Sequence, residues 1–265
     1  MRRIAVCALL AAALLAAPGA AHPQDKALTI RWYGQSFFLL TTAAGTRIAL
    51  DPFGSIGFPM PADVQADAVT ITHNHVDHNN PGLIKGSPEV LRGLTADGKD
   101  WTRIDQKVKD VRIYTVPSSY HDAEQGGKRG RNAIFVYEVD GLRLAHLGDL
   151  GTLLSPPQLQ QIGAVDILFI PVCGRPFTIG PEEATQVVEQ VKPRVAIPMH
   201  YKTPARPDWP GKDEKEFVAG KPNVRRLGGH TLTISKATLP ATPQVVVMGY
   251  QEGGSQPPPL RTPSR

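Results

Sequence analysis

The stretch Ala68-Val69-Thr70-Ile71-Thr72-His73-Asn74-His75-Val76-Asp77-His78 is the most informative in the chain. Its first half is a short run of apolar and β-branched residues, the composition of a buried strand. Its second half holds three histidines and one carboxylate in the six positions from 73 to 78. The histidines therefore open a loop at a strand end. Residues two apart in an extended segment point to the same side, so His73 and His75 can share one ion, while Asp77 and His78 can turn towards a second. A polar surface loop that happens to hold histidines is the plainer reading. The buried-type strand before the cluster, and the recurrence of ligand types after other strands, favour a metal site.

Three further side chains recur in that position: His121 in Ser118-Ser119-Tyr120-His121-Asp122, Asp149 in His146-Leu147-Gly148-Asp149, and His200 in Ile197-Pro198-Met199-His200-Tyr201. The strands they follow are predicted from β-branched and aromatic composition at 112–116, 142–147 and 195–199, with others at 28–32, 37–40, 47–50, 133–139 and 167–172. The opening three form an antiparallel meander, and Asp140-Gly141 is a two-residue hairpin turn. The clearest helix spans 181–191. Pro181 suits its first position, Glu182 and Glu183 its positive end, and Ala184, Val187, Val188 and Val191 form one apolar face, with Lys192-Pro193 ending it. Strands alternating with helices after an antiparallel start indicate a mixed α/β sandwich. Five histidines and two carboxylates suffice for two ions, each with three or four protein ligands and a position left for water.

The 265 residues suit one domain with a large core. Arg2 and Arg3, an apolar run at 4–17, and Pro18-Gly19-Ala20-Ala21 compose a secretory signal peptide cleaved near Ala21, shorter than the roughly 20 apolar residues of a membrane span. The expected organisation is a signal peptide at 1–21, a folded domain at 22–250 and a Gly-, Pro- and Ser-rich disordered tail at 251–265. The mature protein is then exported, periplasmic or secreted, with no stable membrane anchor. Cleavage removes Cys7, so Cys173 remains alone and no internal disulfide is possible. Basic residues outnumber acidic ones by 29 to 24 without gathering in blocks, which is no nucleic-acid footprint. The partner this leaves is a small-molecule substrate; the oligomeric state is not fixed by the sequence.

His73 to His78 follow the pattern His-x-His-x-Asp-His, the marker of the metallo-β-lactamase superfamily, which the chain resembles. With Trp32-Tyr33-Gly34-Gln35-Ser36-Phe37, Asp51-Pro52-Phe53, Gly148-Asp149, Ile170-Pro171-Val172, Glu183-Ala184 and Pro198-Met199-His200-Tyr201 in order, it resembles the ascorbate-6-phosphate lactonase-like branch of metal-dependent hydrolases. The resemblance implies an αβ/βα four-layer sandwich of two mixed sheets flanked by helices. It also implies one ion on His73, His75 and His121, another on Asp77, His78 and His200, with Asp149 bridging them and Asp51 steadying the histidine loop from behind. Gln35 departs from the pattern, standing where many relatives carry histidine, and no ligand is expected to depend on it.

The implied activity is that of a dinuclear hydrolase in which a metal-bridging hydroxide cleaves an ester, lactone, amide or phosphodiester. Asp77 orients the nucleophile, so Asp77 and Asp149 are the catalytic carboxylates. Two divalent ions are expected: zinc is favoured by the ligand types, and manganese or iron are accepted by the same set. Tyr120, Arg131, Asn132 and Lys202, with Arg175 and Phe177, flank the ligand loops and are candidates for substrate binding. His146 and His230 are expected to be structural, and Cys173 a buried thiol near the site. A non-catalytic metal-binding protein on the same fold is the alternative. A β-lactamase is disfavoured because the bridging aspartate is normally absent there, and a nuclease because the chain lacks RNA-clamping insertions.

Overall fold

The computed structural model describes residues 26–119 and 130–249. The expected signal peptide, the expected tail and the segment 120–129, which contains Tyr120 and His121, lie outside the described residues. The strands are β1 (Leu28–Gly34), β2 (Phe37–Thr41), β3 (Arg47–Leu50), β4 (Ala68–Ile71), β5 (Glu89–Arg92), β6 (Asp105–Val108), β7 (Val111–Ser119), β8 (Arg131–Val139), β9 (Leu142–His146), β10 (Ile167–Pro171), β11 (Val195–Met199), β12 (Val224–Arg226), β13 (Thr231–Ile234) and β14 (Gln244–Val247). The helices are α1 (Pro156–Ile162), α2 (Pro181–Val191) and α3 (Glu214–Val218).

They build two mixed sheets: six strands in the order β13-β1-β2-β3-β4-β5, and eight in the order β12-β14-β11-β10-β9-β8-β7-β6. Pairing is antiparallel from β13 to β3 and parallel from β3 to β5 in the first sheet. In the second it is parallel from β12 to β9 and antiparallel from β9 to β6. The expected meander and the α/β sandwich are both present. Side-chain alternation decides how the sheets meet. In β1, Leu28, Ile30 and Trp32 are buried while Thr29, Arg31 and Tyr33 are half-buried on the other face. The inward residues join Phe38, Ile48 and Leu50 and the second sheet's Phe135, Tyr137, Phe169 and Ile197 in one continuous core.

The outer layers differ from each other. Among the described residues all three α-helices lie in connections of the second sheet, and the first sheet's outer face carries none. There Phe37, Ala49, Val69 and Ile71 are covered by Phe53, Phe58, Val64 and Ile84 from irregular chain and a 3-10 turn at Pro81–Leu83. The helix α2 has the predicted bounds. The Glu183 carboxylate accepts from the Gly180 N–H at 2.8 Å, and Lys192 closes the helix in a left-handed conformation ahead of Pro193. Asp140 and Gly141 both have positive φ, as the hairpin between β8 and β9 requires.

The parallel strands place the chemistry. β3 and β4 run parallel in one sheet, β9, β10 and β11 in the other, and the loops leaving their C-terminal ends meet along one edge of the sandwich. The sheets are tied there by the Ala133 N–H donating to the Thr72 carbonyl at 3.1 Å. Gly148, at φ +54°, fits the same seam only because it lacks a side chain. A Cβ on it would stand 2.3 Å from Asn132 Oδ1 and 2.8 Å from Thr72 Cβ.

Candidate metal centre

Six of the seven predicted ligands lie among the described residues, and they converge. The donor atoms of Asp77, His78, Asp149 and His200 lie within 4.8 Å of one another, as do those of His73, His75 and Asp149. Asp149 belongs to both groups. Its Oδ1 is 3.1 Å from His78 Nε2 and 3.3 Å from His200 Nε2, while its Oδ2 is 3.5 Å from His73 Nε2. His200 Nε2 also lies 3.3 Å from Asp77 Oδ2. His121, the seventh, lies in the segment outside the described residues.

The far nitrogens of these rings are held from behind. Asp51 is fully buried and accepts from the Thr72 N–H at 2.8 Å, the Thr72 hydroxyl at 2.6 Å and His78 Nδ1 at 2.7 Å. Because the Thr72 hydroxyl donates to Asp51, it accepts from His73 Nδ1, 3.0 Å away. One carboxylate thus aims the Nε2 lone pairs of two histidines at the centre, directly and through a hydroxyl. His200 is aimed differently, with Nδ1 3.2 Å from the buried Cys173 sulfur. Its main-chain N–H donates to the Gln35 carbonyl at 3.2 Å.

The donor set fits a metal. His78 Nε2, His200 Nε2 and Asp149 Oδ1 are buried atoms that make no hydrogen bond in the protein, although burying an unsatisfied polar atom costs about 1–3 kcal/mol. Imidazole and carboxylate oxygen are ligands of divalent transition ions. Without metal the charges compensate among themselves. Burial opposes the charge of His78, yet Asp149, Asp77 and Asp51 outweigh it and hold the imidazole well above its usual range. The same balance, with Asp149 as the main attraction, raises His200. Burial likewise opposes ionisation of Asp77 and Asp149, and the surrounding histidines hold both far below the ordinary carboxylate range. His75, exposed at the edge of the group, is pushed down to about 4 by desolvation and by its neighbour His73, and is therefore a neutral ligand at pH 7.

Three of the candidate substrate residues, Asn132, Arg131 and Lys202, lie outside the cleft wall. Asn132 is fully buried: its amide donates to Ser118 Oγ and to the Leu147 carbonyl, each at 2.8 Å, and its Oδ1 accepts from the Asp149 N–H at 3.1 Å. It shapes the Asp149 loop from the interior. Arg131 lies over the Trp101 ring, 4.7 Å from its centroid, and is not part of the cleft wall. Lys202 donates its main-chain N–H to the Lys212 carbonyl and also lies outside the wall. Arg131 and Asn132 are successive residues of β8, paired with Ser119 and Ser118 of β7, so their side chains take opposite faces of the sheet. Phe177, by contrast, does line the cleft, and Tyr120 lies outside the described residues. His146 is structural, with Nε2 3.0 Å from the Ser36 carbonyl.

Gln35 carries more than the sequence suggested. It occupies the turn between β1 and β2 at φ 49°, is buried, and its side-chain amide donates to Asp77 Oδ2 at 2.9 Å. The expectation that no ligand depends on it is corrected: a contact spanning 42 residues orients one of the ligand carboxylates. A hydrogen bond to a charged group is worth about 1.5–3 kcal/mol, or roughly 10- to 100-fold. Gln35→Asn tolerates the left-handed backbone but shortens the reach. It is expected to keep the metal content and lose about tenfold in kcat/KM, measured by elemental analysis and steady-state kinetics together.

The comparisons agree with this geometry. Residues 29–200 match the family described as the beta-lactamase superfamily domain. A UPF0173 metal-dependent hydrolase of Thermococcus onnurineus is 30% identical over 209 residues, covering 71% of this chain and 89% of the relative. Another, from Archaeoglobus fulgidus, is 31% identical over 199 residues, covering 66% and 84%. Among solved structures, a metallo-β-lactamase superfamily protein of Thermotoga maritima superimposes with a TM-score of 0.66 at 33% identity, covering 83% of this chain and 98% of that one.

Proposed function

This chain belongs to the metallo-β-lactamase superfamily, among the UPF0173 metal-dependent hydrolases, and from that membership and the geometry of its centre we propose that it is a dinuclear hydrolase. The observation that carries the reading is the position of Asp149, whose two oxygens face two separate groups of histidines. One ion is assigned to His73, His75 and His121, the other to Asp77, His78 and His200, with Asp149 common to both. Zinc is favoured by the donors, and the Thermotoga maritima protein is itself described as a candidate zinc-dependent hydrolase. When bound, two such ions lower the pKa of a shared water and polarise a carbonyl or phosphoryl oxygen.

The chain's own residues do the rest. Asp77, held by Gln35, stands at the cleft side of the centre and orients the attacking water. Asp51 keeps His73 and His78 in one ring orientation throughout. The bond cleaved is an ester, lactone or phosphodiester, and the order of the motifs supports the ascorbate-6-phosphate lactonase-like branch. The basic, apolar and small-residue segments before residue 22 support export with cleavage near Ala21, leaving a mature hydrolase domain that acts on a small molecule. Elemental analysis is expected to find two equivalents of metal per chain, and chelation to abolish ester and lactone hydrolysis. A single equivalent, or turnover that survives metal removal, would refute the dinuclear assignment.

The pH dependence of the metal's effect follows from the charges. In stripped protein the raised values of His78 and His200 contribute stability that is complete below the unfolded histidine value of about 6.5 and lost as pH rises through the folded values. The lowered values of Asp77 and Asp149 contribute stability present above about 3.9 and lost only as pH falls through their folded values. His75, held down at about 4, and His146, also lowered, act the other way: their contribution is complete above about 6.5 and lost as pH falls towards their folded values, so stripped protein is most stable near pH 6.5. Metal displaces the imidazole protons. The rise in Tm on adding zinc is expected to be larger at pH 8.5 than at pH 6 in thermal melts of matched samples.

A further inference from the structure

The cleft over the centre has a volume of about 1020 Å³, and its wall sets the apolar side chains Ile56, Val76, Phe177 and Trp209 beside the polar groups of the centre. On one side Val76, in the middle of the ligand loop, is 63% exposed, with Ile56 beside it along the cleft. On the other, the Phe177 and Trp209 rings lie 5.3 Å apart at 32°, and both approach the His200 ring, at 6.4 and 5.7 Å. Val76 and the Phe177–Trp209 pair line the same cleft and give it apolar surface that an apolar portion of a ligand would cover.

The one arginine among the described lining residues is already engaged. Arg206 lies over the Trp209 ring, 5.1 Å from its centroid, and its Nε donates to Asp208 at 3.1 Å. Its stem reaches the loop opposite: a Cβ on Gly57, at φ +91°, would stand 2.5 Å from Arg206 Cδ. Its side chain is only 18% exposed. Arg206 therefore closes one end of the trench as a stacked strut whose charge Asp208 already balances, so it is not an open cation for an anionic substrate.

From these contacts we propose that the site takes uncharged esters or lactones with an apolar or aromatic portion, seated between Val76 and the Trp209–Phe177 pair, and that Trp209 sets this specificity. The proposal rests on the hydrolase reading and narrows it away from phosphorylated substrates. In the reaction the acyl C–O bond breaks, water gives its hydroxyl to the acyl carbon, and its proton ends on the leaving oxygen. The apolar portion remains on the aromatic wall throughout, so its contribution is to binding and orientation.

The test uses zinc-loaded full-length protein with γ-butyrolactone, γ-heptalactone, γ-nonalactone and a phosphorylated sugar lactone, followed by acid release. Burial of each methylene predicts a rise in kcat/KM of about two- to fourfold, with the phosphorylated compound poorest. Trp209→Ala is expected to reduce the nonalactone-to-butyrolactone ratio at least tenfold at unchanged metal content. Val76→Ser, a milder surface change, should reduce it in the same direction, and Trp209→Phe should restore most of it. Metal-dependent turnover that is flat along the series, favours the phosphorylated lactone, or keeps its ratio in Trp209→Ala overturns the specificity proposal and leaves the hydrolase reading standing. No chelator-sensitive turnover of any member overturns both.

Discussion

Asp149→Ala is expected to strip both metal ions from the protein and to lower kcat/KM by about 10³-fold or more, since metal ions supply several kcal/mol of transition-state stabilisation and each 1.36 kcal/mol is tenfold. Asp149 is the one side chain common to the two donor groups, 3.1 Å from His78 and 3.5 Å from His73. Losing it leaves each ion with one ligand fewer and removes the charge that holds His78 and His200 together. Asp149→Asn, nearly identical in volume, separates the loss of charge from the loss of packing and should behave like alanine in metal content while keeping the circular dichroism of the native protein. A variant that retains two equivalents of metal, or a tenth of the turnover, would remove Asp149 from the bridging position.

The second large effect is on stability. Asp51→Ala is expected to cost about 3–5 kcal/mol, because removing one partner of a buried charged pair leaves the other unpaired in the interior. Three donors lose their acceptor at once: the Thr72 N–H, the Thr72 hydroxyl and His78 Nδ1. For a domain of this size that is a fall in Tm of about 10 °C. Metal affinity should drop about 10- to 100-fold, as is usual when the group behind a ligating histidine is lost. Asp51 sits at φ 45°, which asparagine adopts readily, so Asp51→Asn holds the backbone while offering one acceptor oxygen instead of two. Its Tm should fall between those of the wild type and the alanine variant.

The ligand loops were legible in the sequence because local periodicity fixes a strand's end and the residue that follows it. β3, β11 and α2 have the predicted bounds, and Asp149 and His200 follow their strands as expected. The edge strands β5 and β6 were not legible: Glu89 and Val90, and Asp105, Gln106 and Lys107, are exposed, so their extended form comes from pairing with β4 and β7 and not from their own composition. β13 was within reach, since Thr231–Ile234 alternates exposed and buried residues as a half-buried strand does. The contacts that spacing cannot give are those between distant loops. Gln35 meets Asp77 between two loops of the first sheet, while Cys173 meets His200, and Phe177 meets Trp209, through the loops that leave the adjacent parallel strands β10 and β11 of the second. Asn132 shows the converse error: a polar residue beside a basic loop suggested a ligand contact, and β8 carries it into the interior instead.

The seam at Gly148 and Thr72, where the first sheet's ligand loop meets the second sheet's, also governs when the centre can exist. A growing polypeptide that has emerged only through β5 carries His73, His75, Asp77 and His78 but neither Asp149 nor His200, and can offer an ion no more than a few flexible side chains. Tight capture waits until β11 has docked. Acquisition of metal is therefore expected among the last steps of maturation, as a latch on a completed sandwich and not as a nucleus around which it forms.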